Sequence, residues 1–132
     1  MTDTSGVARG ALPLLIVDGA NVVGSVPDGW WRDRRGAAER LRDRLAPLAR
    51  SGVAGLPGPL ELVLVVEGAA RGVESVPGVR VEDAPGSGDD HIVALAAAAR
   101  DRPCQVVTAD RALRHRVTEH GAQVTGPRTV LA

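Results

Sequence analysis

The sequence contains no lysine, tyrosine or phenylalanine, and these absences exclude several classes of site. All 16 basic residues are arginine, which excludes mechanisms that depend on a lysine, among them P-loop nucleotide hydrolysis, Schiff-base chemistry and receiver-type phosphorylation. Two tryptophans are the only aromatic residues, and most of the apolar residues are Ala, Val and Leu. We therefore expect an aliphatic, closely packed core, in a chain whose 132 residues suit one domain.

Cysteine, net charge and long apolar runs are also scarce. Cys104 is the single cysteine, so no internal disulfide can form, and there is no signal-peptide pattern or run of apolar residues long enough to span a membrane. We expect a cytoplasmic protein without a membrane partner, and a homodimer stays open. The formal net charge is zero, so any attraction to a nucleic acid must come from local patches.

The order of apolar segments predicts an α/β fold. Residues 1–10 are polar, small and aperiodic, which predicts a disordered tail before a domain at residues 11–132. Helices are expected from about Asp33, Asp89 and Arg111, the first ending or kinking at Pro47, while SGVAGLPGP is expected to be a turn-rich connector. Strands are predicted in five segments: LPLLIV, LELVLVVEG, VRVED, CQVVTAD and AQVTG. This alternation favours a parallel sheet with helices on both faces.

Acidic residues collect where ligands bind in such a sheet, outside the carboxyl ends of the strands. Asp18, Glu67 and Asp110 each follow a strand, and Asp89 and Asp90 open a helix at the same edge. Clustered carboxylates repel one another unless a cation lies among them. Oxygen ligands suit Mg²⁺ or Mn²⁺, which can activate water against a phosphodiester. The pattern therefore predicts metal-dependent phosphodiester hydrolysis.

Each of these polar residues also has a structural explanation. Asp18, followed by glycine, is compatible with a simple turn, and the acid pair at 89–90 is compatible with a helix N-terminus. Asn21 caps a helical turn or acts in the site, as a ligand or as a hydrogen-bond partner of Asp18. Thr108 is expected to hydrogen-bond the carboxylate of Asp110.

Basic and aromatic residues give weaker signals. Trp30 and Trp31 lie in a predicted loop, where they could fill the core, dock a partner or stack on bases. The three histidines do not have the spacing of a zinc site, although His91 could face the acidic residues. Arginines near the predicted site either hold phosphates or form a solvated surface. They are Arg32, Arg34, Arg35, Arg111, Arg114 and Arg116, of which Arg32, Arg35, Arg111 and Arg114 are our candidates for RNA binding.

Four segments together resemble a known family. They are IVDGANVVGS, VLVVEGA, GSGDDHIVALA and VVTADRALRHRVTEHGAQVTGP, and in order and spacing they are similar to the NYN subgroup of PIN-like ribonucleases, especially its small bacterial single-domain members. The resemblance covers Leu14 to Pro127. It implies a ribonuclease dependent on Mg²⁺ or Mn²⁺, with a three-layer fold whose central parallel sheet has the order 3-2-1-4-5.

The resemblance also implies roles for individual residues. Catalytic roles fall to Asp18, Asn21, Asp90 and Asp110, and metal binding to Asp18, Glu67, Asp89, Asp90 and Asp110. The family often has aspartate where this chain has Glu67, and the longer side chain permits contact with the metal through water.

Two other functions remain as alternatives. A non-catalytic RNA-binding module of the same fold would explain both the glutamate at position 67 and the shortage of basic charge. A metal-dependent phosphatase of the haloacid-dehalogenase type needs two aspartates one residue apart after the first strand, whereas this chain has Asp18, Gly19 and Ala20.

Overall fold

Seven strands and six helices make up the part of the chain, residues 12–131, that this computed structural model describes. The tail predicted for residues 1–10 lies outside it. The strands are β1 Leu14–Asp18, β2 Gly52–Val53, β3 Leu56–Pro57, β4 Glu61–Val66, β5 Arg80–Asp83, β6 Cys104–Val107 and β7 Gln123–Thr125. The helices are α1 Gly19–Gly24, α2 Arg34–Leu45, α3 Leu48–Ser51, α4 Gly88–Ala98, α5 Arg111–Thr118 and α6 Arg128–Leu131, with 3₁₀ turns at Trp30–Arg32 and Gly68–Ala70.

Five of the strands form one parallel sheet in the order β5-β4-β1-β6-β7. The expected order 3-2-1-4-5 counts only these five strands in sequence order. The strand numbers differ because the segment that we expected to be a turn-rich connector contains the antiparallel hairpin β2–β3. The three-layer α/β architecture is confirmed.

The central position of β1 explains its continuous apolar sequence. All five of its residues are buried, because successive side chains point to opposite faces and both faces are covered. Leu15 and Val17 face a cluster built from α1, α2, the hairpin and α6. Leu14 and Ile16 face a second cluster built mainly from α4 and α5. The strand thus holds Asp18 rigidly at its carboxyl end.

The three predicted helices begin close to the residues expected from the sequence, and the structure contains further short helices. Helix α2 ends at Leu45, just before Pro47, which precedes the short α3. Two short helices, α1 and α6, were not predicted as elements. Within residues 12–131, no helix is long and apolar enough to cross a membrane.

Candidate active site

Asp18 is a carboxylate at the junction of β1 and α1 with little access to solvent. Its residue exposure is 5%, and it caps α1 by accepting a hydrogen bond from the backbone N of Asn21 at 3.4 Å. Its other oxygen, Oδ2, accepts a hydrogen bond from Thr108 Oγ1 at 2.8 Å. No basic side chain among residues 12–131 forms an ion pair with it. Burial raises the pKa of Asp18 to about 6, although both hydrogen bonds act in the opposite direction.

Other acidic residues lie near enough to Asp18 to influence it. The negative charges of Asp89 and Glu67 add to the rise in the pKa of Asp18. The pKa of Asp89 is itself raised, first by partial burial and then by the charges of Asp110 and Glu67, against a lowering effect of Arg116. We call Asp18, Glu67, Asp89 and Asp110 the acidic cluster. Its members come from four separate segments of the chain, as the sequence predicted.

Helix starts position two members of the acidic cluster. Glu67 Oε1 accepts a hydrogen bond from the backbone N of Gly88, the first residue of α4, at 2.7 Å. A Cβ at position 88 would lie 2.3 Å from that oxygen, so a glycine is needed for this close approach. Asp110 caps α5, since its Oδ1 accepts a hydrogen bond from the backbone N of Leu113 at 2.9 Å.

Asp90 is directed elsewhere. Its Oδ1 accepts a hydrogen bond from Arg116 Nη2 at 2.9 Å, and its side chain is 75% exposed. Of the acid pair at the start of α4, Asp89 is therefore the residue that the structure couples to Asp18 and Glu67. Among residues 12–131, no three acidic, histidine or cysteine side chains converge closely enough to hold a metal ion directly.

Thr108 and Asn21 position the site in a different way from that expected. The hydroxyl of Thr108 donates to Asp18, and it accepts a hydrogen bond from the backbone N of Asp110 at 3.1 Å. The expected bond from Thr108 to the Asp110 carboxylate was therefore wrong. The side-chain Oδ1 of Asn21 accepts from the backbone N of Ala109 at 2.8 Å, so this side chain ties α1 to the end of β6. The fully buried threonine in the sequence TAD could have signalled its role, but its partner lies 90 residues away.

The candidate RNA-binding arginines differ in whether their guanidinium groups already form hydrogen bonds within the protein. Arg114 Nε donates to the backbone O of Thr108 at 2.9 Å, and Arg35 Nη2 donates to the backbone O of Arg71 at 3.1 Å. Both side chains therefore already have a structural role. Arg111 is exposed at the start of α5, and the guanidinium of Arg32 lies 5.7 Å from the ring centroid of Trp31.

His91 does not belong to the acidic cluster. Its Nε2 lies 2.6 Å from Oε1 of Glu82 on β5, so His91 pairs with Glu82 and does not face the acidic residues, an orientation that the sequence had left open.

Comparison with known proteins supports the fold. No family model matches the chain, and no curated protein matches it. Among solved structures, the W164L mutant of Rae1 (YacP) from Bacillus subtilis is similar, with a TM-score of 0.67 over 89% of this chain and 71% of that chain. The two chains share a fold. Their sequences are 19% identical, a level at which roles of individual residues are not transferred.

Proposed function

We propose that the protein is a ribonuclease that depends on a divalent metal ion bound at the acidic cluster. The observation that carries this proposal is the environment of Asp18, which is buried, has no basic partner among the described residues and is surrounded by like charge. A buried carboxylate in such surroundings is unfavourable unless it is protonated or paired with a cation. A metal ion would supply the missing positive charge.

The carboxylates of the acidic cluster suit a metal ion that keeps several waters better than one whose ligands all come from the protein. Mg²⁺ and Mn²⁺ prefer oxygen ligands, and Mg²⁺ usually keeps several waters while contacting one or two carboxylates. Because no three ligands converge among residues 12–131, waters would have to complete the shell of an ion bound here. Asp18 and Asp89, with Glu67 and Asp110 around them, are the residues that would hold the ion. Direct binding by Asp90 would require its ion pair with Arg116 to break.

The chain's own residues would hold the reacting groups in place. Hydrogen bonds from Thr108 and from the backbone of Asn21, at the turn into α1, hold the carboxylate of Asp18. Arg111 is exposed and follows Asp110 in the sequence, and its guanidinium would hold a phosphate. A metal ion bound here would polarise the phosphodiester and lower the pKa of a bound water. RNA as the substrate rests on the resemblance to the NYN subgroup, with which the observed fold agrees.

A second candidate is an RNA-binding module without catalysis. Two observations favour it: the lack of three converging ligands among the described residues and the engagement of Glu67 with Gly88. An incomplete metal site of this kind would bind RNA without cleaving it.

The two candidates are separated by incubating labelled single-stranded and structured RNA with the protein in Mn²⁺, Mg²⁺ or EDTA. For the ribonuclease we expect cleavage with either metal, none in EDTA, and a loss of orders of magnitude in Asp18→Asn. Asp101→Asn, which replaces an exposed carboxylate outside the acidic cluster, is the matched control and should cleave as wild type does. Binding without cleavage in every metal would favour the module.

A further inference from the structure

A recess of about 130 Å³ lies directly beside the acidic cluster. Its walls come from α1, the Trp30–Arg32 turn, the first half of α2 and the chain that follows β4. Gly19 and Ala20, the two residues after Asp18, form one side, and Glu67 of the acidic cluster forms part of another. The recess and the acidic cluster therefore share Glu67, and Asp18 directly precedes the wall formed by Gly19 and Ala20.

The walls of the recess are mostly apolar and partly aromatic. Val23, Ala38 and Val66 contribute aliphatic surface, and the indole of half-buried Trp30 contributes a flat ring. Pockets that bind small ring systems have this composition, with a few polar groups that set the orientation. At about 30 Å³ per water, the volume of about 130 Å³ corresponds to roughly four waters, which is on the scale of one nucleobase.

The recess is also lined by a positively charged side chain. The guanidinium of Arg34 lies 5.2 Å from the ring centroid of Trp30 and also lines the recess. Within residues 12–131 this guanidinium has no carboxylate partner. Arg34 lies over the ring of Trp30, and a base in the recess would stack on this Arg–Trp pair. Guanidinium planes and aromatic rings are the surfaces on which proteins stack unpaired bases, and the cation attracts the backbone.

We propose that this recess is a subsite for one unpaired nucleobase of an RNA strand whose phosphate lies at the acidic cluster. The inference rests on the proposed function for the identity of the strand, and it adds a preference for single-stranded over duplex RNA. A base in the recess cannot remain paired, because a volume of about 130 Å³ accommodates one base and not a base pair. The small side chains along the walls, Gly19, Ala20 and Ala38, keep the recess open.

The test fills the recess and measures binding without cleavage. Ala20 is exposed, so Ala20→Leu should fold normally while placing a larger side chain at the wall. We measure the affinity for a fluorescein-labelled single-stranded RNA oligomer by anisotropy, with Ca²⁺ as an oxygen-liganded divalent cation in place of Mg²⁺ or Mn²⁺, alongside the duplex of the same sequence. Ala20→Leu should weaken single-strand binding by about fivefold or more, the scale of one lost stacked base. Ala98→Leu, at an exposed alanine of α4, should bind as wild type does.

A second arm identifies what occupies the recess. An abasic nucleotide is moved along the oligomer one position at a time. At one position, the abasic nucleotide should weaken binding to wild type as much as the Ala20→Leu substitution weakens binding of the intact oligomer. The same abasic oligomer should bind Ala20→Leu no more weakly than the intact oligomer does. Equal affinity of Ala20→Leu and Ala98→Leu, or equal affinity of wild type for single strand and duplex, would overturn the subsite.

The readout is independent of catalysis. If wild type cleaves no RNA but binds it with the dependence on Ala20 described above, the subsite stands and the ribonuclease proposal fails. If wild type cleaves RNA, and neither Ala20→Leu nor the abasic nucleotide weakens binding, the ribonuclease proposal stands and the subsite fails.

Discussion

At the scale of single residues, Asp18 carries the largest electrostatic cost near the proposed site. Burial raises its pKa from 3.8 to about 6, and this shift corresponds to at most about 3 kcal/mol between the charged and neutral forms. The carboxylate could be predicted from the sequence because it ends an apolar strand. Its hydrogen bond from Thr108 could not, since the two residues meet only when β1 and β6 pair side by side.

The raised pKa of Asp18 predicts how the metal-free protein responds to pH. The folded state holds the proton more tightly than the unfolded state, so the contribution of Asp18 to stability is complete below about pH 4 and is lost as the pH rises through about 6. In EDTA, the free energy of unfolding should therefore fall by about 1 to 3 kcal/mol between pH 4 and pH 7. Urea denaturation at four pH values in this range measures it.

Two variants test whether Asp18 causes this decrease in the free energy of unfolding. Asp18→Asn keeps an acceptor for the hydroxyl of Thr108 but cannot ionise, so most of the fall should disappear and the variant should be more stable than wild type at pH 7. Asp101→Asn should keep the wild-type fall. A fall of the same size in Asp18→Asn would show that another group is responsible.

At the scale of elements, helix starts explain both what the sequence predicted and what it missed. Asp18, Ser87 and Asp110 each cap a helix, and residues of these types before a helical pattern are readable signals. The choice between Asp89 and Asp90 was not readable, because neighbouring helix positions point about 100° apart and the exact start of α4 decides which faces Glu67. The hairpin β2–β3 was missed because its strands have two residues each, too few for an alternating pattern.

Asp110 combines a cap with a proposed role in catalysis, and two substitutions separate the roles. Asparagine caps a helix about as well as aspartate, whereas alanine costs about 1 kcal/mol of stability. We expect Asp110→Asn to unfold at a urea concentration close to that of wild type, and Asp110→Ala to unfold earlier. Both should cleave RNA slower by orders of magnitude, because both remove the charge next to Asp89.

Asp33 provides the control for the cap. It caps α2 by accepting from the backbone N of Gly36 at 2.9 Å, outside the acidic cluster. Asp33→Ala should therefore lose about as much stability as Asp110→Ala without the loss of cleavage by orders of magnitude. If Asp110→Asn cleaves RNA as fast as wild type does, Asp110 only caps α5 and has no role in catalysis.

At the scale of the whole molecule, the zero net charge conceals local excesses of charge of each sign. Residues 32–50 contain seven arginines and three acidic residues, while the acidic cluster gathers negative charge at the carboxyl edge of the sheet. The overall fold could be predicted because its strands and helices are marked by long apolar patterns. The recess next to the acidic cluster could not, because its walls come from segments far apart in sequence.

The negative charge of the acidic cluster leads to a prediction about the stability of the entire domain. A ligand that binds the folded state alone raises stability by an amount set by its concentration relative to its Kd. Millimolar Mn²⁺ or Mg²⁺ should therefore raise the Tm of wild type by a few degrees at pH 7, an effect of roughly 1 kcal/mol for a domain of this size. The increase should be smaller at pH 5, because a metal ion must compete there with the proton on Asp18, whose pKa is about 6.

Differential scanning fluorimetry at both pH values, with metal or EDTA, measures this response. Asp18→Asn should show little increase in Tm at either pH, and Asp101→Asn should respond as wild type does. Bound metal should also cancel the loss of stability that the metal-free protein shows as the pH rises, because the cation compensates the charge that burial penalises. An identical Tm with and without metal at pH 7 would mean that the acidic cluster binds no cation, which would leave RNA binding without catalysis as the function that this fold supports.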